Sequence, residues 1–306
     1  MTDPRAALQG LWLPLVTPFK NGQLDGVSLR RLVAHYAGIP IDGFILGATT
    51  GEGMTLDIAE LERIAALTRA EVSANGRPIA IYLGLSGSNT LKVCETLDET
   101  AAWPIDGYLI STPHYSRPAQ RGVLQHFTVL ADRAAHPLMI YNIPYRTGVN
   151  LGNEAMLQLA RHSNIAGLKD CCAVRQQSVA LLRQRPDGFA VLTGEDAQYF
   201  DALADGADGG ILASAHLETE TFATIRALLM AGNRDDAHEL WQTVRILAEL
   251  LFAEPSPAPL KHWLWRSGLI DSPEVRLPMV EVSAELARGL DREIERRHVG
   301  SILHPA

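Results

Sequence analysis

Lys169 closes the run Ile165-Ala166-Gly167-Leu168-Lys169-Asp170, four apolar or small residues leading straight into a lysine. Such a run reads as a strand buried on both faces. Lysine is rarely buried without a partner or a task. Loss of hydration at a strand end disfavours the ammonium form and lowers the lysine pKa. A neutral amine can attack a carbonyl carbon and form a Schiff base. The ordinary alternative is a lysine that has just left the strand and pairs with Asp170.

Other residues extend the same chemistry. Tyr141 lies one residue before the end of the run Leu138–Asn142, and a phenol beside the amine can relay a proton to or from a carbinolamine. Thr49 and Thr50, in Gly47-Ala48-Thr49-Thr50-Gly51-Glu52-Gly53, can offer hydroxyls and backbone N–H groups to a carboxylate. Arg146 can hold a second carboxylate through a bidentate fork. Tyr115, Gly194, Glu195 and Asp196 follow other strand-like runs. Each has a plain alternative: a helix-entry cap at Thr-Thr-Gly-Glu, a core phenol at Tyr141, a surface ion pair at Arg146.

The elements that must position these residues alternate. Strands are predicted at Leu11–Pro18, Gly43–Leu46, Pro78–Leu83, Gly107–Ile110, Leu138–Asn142, Ile165–Asp170, Phe189–Thr193 and Gly209–Ala213. Amphipathic helices lie between them, for example Leu29, Leu32, Val33 and Tyr36 at i, i+3, i+4, i+7, and a segment from Asp196 to Asp205. Eight strand–helix units predict an α/β fold, a (β/α)8 TIM barrel with a C-terminal helical extension. The barrel spans residues 1–230, and helices near 234–252, 256–268 and 280–297 form the extension, 231–306. An open doubly wound sheet competes but needs fewer strands and a switch point. In a barrel, residues at the carboxyl ends of the strands converge on one pocket, which unites the residues above.

Composition excludes several classes. A net charge of −8, from 35 acidic and 27 basic residues, argues against nucleic-acid binding. Pro14 and Pro18 break the apolar run Leu11–Phe19, and no run reaches membrane-spanning length. Met1–Arg5 carry no signal-peptide pattern, and three cysteines cannot make a disulfide framework, so a cytoplasmic location is expected. The ten histidines are scattered, so no metal site is expected. A pyridoxal-phosphate enzyme would need a phosphate cradle, for which only Gly206–Gly210 offers itself, and a partner for the pyridine nitrogen. No cofactor is expected. A catalytically dead scaffold would be expected to lose Lys169 or Tyr141, and both are present.

Thr49-Thr50-Gly51-Glu52, Tyr141-Asn142-Ile143-Pro144 and Gly167-Leu168-Lys169-Asp170, in this order, resemble the dihydrodipicolinate synthase and N-acetylneuraminate lyase superfamily. Leu192–Asp196 and Pro255–Lys261 extend the resemblance, which runs from about Leu11 to about Gly289. It implies a class I Schiff-base lyase, forming a homo-oligomer, dimer or tetramer. It implies an imine between Lys169 and pyruvate, proton relay by Tyr141, and carboxylate binding at Thr49 and Thr50. In the synthase branch, Tyr115 joins the relay from a neighbouring subunit. Gly51, Glu52, Gly194 and Ile211 complete the expected substrate site. Arg146-Thr147-Gly148 resembles the synthase, whose arginine meets the carboxylate of L-aspartate semialdehyde, the aldehyde that gives 4-hydroxy-tetrahydrodipicolinate. Tyr145 and His114 depart from the synthase pattern. A sialic acid lyase-like or 4-hydroxy-2-oxoglutarate aldolase-like activity, or a 2-oxo acid dehydratase, is the alternative. Many synthases of this kind are inhibited by lysine in an interface cleft; the corresponding positions here are Ile58, Leu61, His114 and Lys92, which predicts insensitivity.

Overall fold

The structure, a computed structural model, describes residues 8–303. Eight parallel strands form it: β1 Gly10–Pro14, β2 Gly43–Leu46, β3 Ala80–Leu85, β4 Gly107–Ser111, β5 Leu138–Asn142, β6 Ile165–Asp170, β7 Ala190–Thr193 and β8 Gly209–Ile211. Each strand pairs with the next, and β8 pairs back onto β1 through Leu11 opposite Gly210. Closure removes both sheet edges and excludes the open doubly wound sheet.

Around the barrel lie α1 Gly26–Ala37, α2 Ile58–Asn75, α3 Thr90–Glu99, α4 Gln120–Arg133, α5 Asn153–Leu159, α6 Arg175–Gln184, α7 Tyr199–Ala204 and α8 Thr219–Met230. Their starts follow local side-chain chemistry. Asp25 accepts from Val27 and Ser28 N–H, Asp57 and Glu60 form a reciprocal capping box, and Asn89 accepts from Leu91 and Lys92 N–H. Three further helices follow: α9 Arg234–Leu251, α10 Ala258–Arg266 and α11 Ala284–Leu303. Trp241 of α9 packs edge-on against Phe222 of α8. No helix among the described residues is long and apolar enough to cross a membrane.

Several boundaries differ from the sequence reading. The first strand ends at Pro14, not Pro18, and Asn21-Gly22 turns a short hairpin of Phe19–Lys20 with Gln23–Leu24. The third strand begins two residues after Pro78 and continues through Gly84 and Leu85, which pair with Leu109 and Ile110. Proline has no N–H for the ladder, so the strand starts beyond it. The segment Asp196–Asp205 is a 3-10 turn, Asp196–Gln198, followed by the short helix α7.

The barrel interior is a packed core rather than a pore. Trp12, Ile45, Tyr82, Leu109, Met139, Leu192 and Ile211 fill it, and the Trp12 and Tyr82 rings meet edge to face at 5.1 Å. Gly43 and Gly107 leave the space these rings occupy: a methyl on Gly107 would sit 2.5 Å from Tyr82 Cε2 and closer still to its Cζ. A second, larger apolar layer, with Leu13, Phe44, Ile81, Tyr108 and Phe127, joins the barrel to its helices.

Candidate active site

β5 and β6 pair with Tyr141 opposite Lys169, one residue from the carboxyl end of each strand. The Lys169 ammonium nitrogen lies 4.3 Å from the centre of the Tyr141 ring. Lys169 is only 5 % exposed. Burial lowers its pKa below the free-lysine value of 10.5, against the opposing influence of Cys171, Asp196 and Glu195. Burial likewise holds the Tyr141 phenol well above its ordinary range, so it remains a proton donor at neutral pH. Both shifts favour a nucleophilic amine beside a protonated phenol.

The end of β7 brings three more groups. Gly194 packs against Lys169 so closely that a methyl there would meet Lys169 Cγ at 2.9 Å and Cys171 Sγ at 2.5 Å. Glu195 and Asp196 are both pushed up by burial. Asp196 accepts two bonds of 2.6 Å from the Ser214 N–H and hydroxyl, which ties β7 to the segment after β8. Ile211 lies inside the barrel core, completely covered.

A pocket of about 240 Å³ opens at this end of the barrel, and its lining includes Thr49, Ser86, Ser111, His114, Tyr141 and Arg146. Tyr141, in this lining, lies against Lys169. Thr50 is buried beside Thr49, and the turn closes through a Glu52 N–H bond to the Thr49 carbonyl of 3.1 Å. Gly51 is required by space, since its Cβ would press on the Leu15 carbonyl at 2.8 Å. Arg146 sits in a helical turn, Pro144–Thr147, ended by Gly148 in the left-handed conformation, with its guanidinium 5.7 Å from the Tyr145 ring.

Besides Ile211 in the core, two further expected site residues stand elsewhere. Glu52 does not offer its carboxylate to the pocket: it is ion-paired with fully buried Lys261 and accepts the Arg276 N–H at 2.9 Å. Its side chain also makes no cap to the 3-10 turn that follows, Gly53–Thr55; the helix after that, α2, is capped by Asp57. Tyr115 is 94 % exposed, with a positive φ of 66°, outside the pocket of its own chain. Ser86, Ser111 and Thr147 line the pocket and escaped sequence reasoning. The strand-end positions of Ser86 and Ser111 were available as a signal; Thr147 enters through the short helical turn, which no periodicity announces. Among the described residues no group of three metal-ligand side chains occurs.

Comparison with known proteins agrees with this geometry. Residues 7–297 match the Dihydrodipicolinate synthetase family. The 4-hydroxy-tetrahydrodipicolinate synthase 2 of Clostridium acetobutylicum is 40 % identical over 93 % of this chain and 99 % of its own. The 4-hydroxy-tetrahydrodipicolinate synthase of Limosilactobacillus fermentum is 39 % identical over 89 % of this chain and 86 % of its own. The crystal structure of dihydrodipicolinate synthase from Aquifex aeolicus superposes with a TM-score of 0.90 at 28 % identity, covering 95 % of this chain and 98 % of that one. With the family profile spanning nearly the whole barrel and its helical extension, this chain belongs to the dihydrodipicolinate synthetase family.

Proposed function

We propose that this protein is a Schiff-base lyase that condenses pyruvate with L-aspartate semialdehyde to give 4-hydroxy-tetrahydrodipicolinate. The observation that carries the reading is the buried Lys169 amine, of lowered pKa, held against Tyr141 at the mouth of the barrel. The neutral amine attacks the pyruvate C2 carbonyl. Tyr141 carries protons as the carbinolamine loses water to leave an imine. Loss of a methyl proton gives an enamine, whose carbon attacks the aldehyde carbon while the aldehyde oxygen takes a proton; the amino group of the aspartate semialdehyde then attacks the imine carbon, closing the ring and releasing Lys169 as the free amine.

Thr49 and Thr50 hold the 2-oxo acid carboxylate, and Arg146 the carboxylate of the aldehyde. Gly51, Gly194 and Ile211 shape the space around them. The protein acts as a homo-oligomer in which exposed Tyr115 completes a neighbouring site, and its three free cysteines suit a reducing cytoplasm. One observation supports a different pyruvate-dependent aldolase: the bulky Tyr145 ring stands beside Arg146, the residue expected to hold the second carboxylate.

Treatment with pyruvate and borohydride, followed by digestion and mass mapping, should place the adduct on Lys169. Trapping should rise with pH with a midpoint below 10.5, because burial lowers the pKa of the amine. From a panel of aldehydes, aspartate semialdehyde should be consumed fastest. An adduct on another lysine, or none, refutes the mechanism; preference for another aldehyde moves the protein to a different branch.

A further inference from the structure

The helical extension reaches the active-site turn through a buried charge cluster. Glu52 adopts a left-handed conformation, φ 52°, which a non-glycine residue holds only when its surroundings enforce it. Its side chain leaves the turn backwards, towards the extension. There it is ion-paired with Lys261 of α10 and accepts the Arg276 N–H at 2.9 Å. Lys261 also donates to the Glu274 carbonyl at 2.8 Å. Both cations lie against one ring: the Lys261 nitrogen is 4.2 Å, and the Arg276 guanidinium carbon 4.1 Å, from the centre of Phe19. Arg276 reaches on to the Thr55 carbonyl at 3.0 Å and grips the capping-box residue Glu60 by a two-pronged contact of 2.7 and 2.6 Å. One segment of the extension therefore fixes both ends of the loop from Thr49 to the start of α2.

A buried ion pair costs so much desolvation that apolar residues of equal size often stabilise as well. Stability alone does not account for this cluster. Its geometric consequence is specific: the Glu52 N–H bonds the Thr49 carbonyl at 3.1 Å, and the Gly53 N–H bonds the Ala48 carbonyl at 3.2 Å. Rotation of Glu52 towards a relaxed φ would shift Thr49 and Thr50 directly.

We infer that Lys261 is a positioning residue for the reaction, acting with the Arg276 backbone N–H through Glu52 to hold the Thr49–Thr50 turn where it receives the carboxylate of the 2-oxo acid. This rests on the pyruvate reading above. Burial pushes the Lys261 ammonium down to about 8, so it remains mostly charged at neutral pH and the pair persists there.

The test compares Lys261→Met with the double variant Lys261→Met/Glu52→Gln, which leaves no unpaired buried charge. The readouts are the pyruvate concentration that half-saturates borohydride trapping on Lys169, the KM for the aldehyde, and the melting temperature. Both variants should need about tenfold more pyruvate, the weight of roughly one misplaced hydrogen bond to a charged group. Trapping at saturating pyruvate and the aldehyde KM should be preserved. The double variant should regain melting temperature lost in the single one without regaining pyruvate affinity. Wild-type pyruvate dependence in the double variant, or equal damage to both substrates, overturns the inference. Absence of a trapped adduct in the unaltered protein instead brings down the pyruvate reading itself.

Discussion

Gly194→Ala isolates the geometry of the reactive amine without touching any chemical group. The added methyl would lie 2.5 Å from Cys171 Sγ, 2.9 Å from Lys169 Cγ and closer still to Lys169 Cε. Apolar atoms rest at about 3.5–4.0 Å, so the lysine stem must retreat by about 1 Å or more. It cannot do so freely, because Tyr141 stands against the Lys169 ammonium and the strand is paired on both sides. A displacement of about 1 Å at a reacting atom costs on the order of 10²-fold in rate. The rate of borohydride-trapped adduct formation at saturating pyruvate should fall by about that factor. The melting temperature should fall by only a few degrees, since overpacking in one place typically costs about 1–3 kcal/mol. A trapping rate within about threefold of the original, with the fold intact, would refute the claim that close packing of Gly194 sets the position of Lys169.

Three further outcomes are expected. Tyr141→Phe keeps the ring against Lys169 and removes only the proton carrier, so turnover should drop roughly 10²–10⁴-fold; a near-normal kcat would make the phenol a packing group. Arg146→Ala should raise the KM for the aldehyde and spare that for pyruvate, at a cost on the order of 1.5–3 kcal/mol for a lost charge-assisted contact, and steady-state kinetics with each substrate varied in turn separates the two. Lysine at millimolar concentration should change neither activity nor melting temperature: Leu61 and Lys92 line a neighbouring pocket of about 350 Å³, Leu61 accepts no hydrogen bond, and Lys92 presents an ammonium already paired with Glu95 at 2.6 Å. Measured inhibition would show that lysine finds other acceptors there.

The barrel was legible because its signals are local. Apolar runs bounded by Gly, Pro and Asn mark buried parallel strands, and helices between them announce themselves by 3.6-residue periodicity. Once strands are counted, fold symmetry carries their carboxyl ends to one place. Lys169, Tyr141 and Thr49 could therefore be grouped from sequence alone, although 120 positions separate the first from the last.

What the sequence left undetermined depends on contacts between distant segments and on burial. Thr-Thr-Gly-Glu as a string gives all four residues an equal claim on substrate. Only the folded chain sets Lys261 and Arg276, more than 200 positions downstream, against Glu52 and withdraws its carboxylate from the pocket. No periodicity encodes that meeting, because α10 and the segment after it are placed by packing on the outside of the barrel. The state of the reactive amine was undetermined for the same reason. Desolvation is a property of everything that surrounds Lys169, including a glycine just past the end of the next strand whose missing side chain leaves room for it.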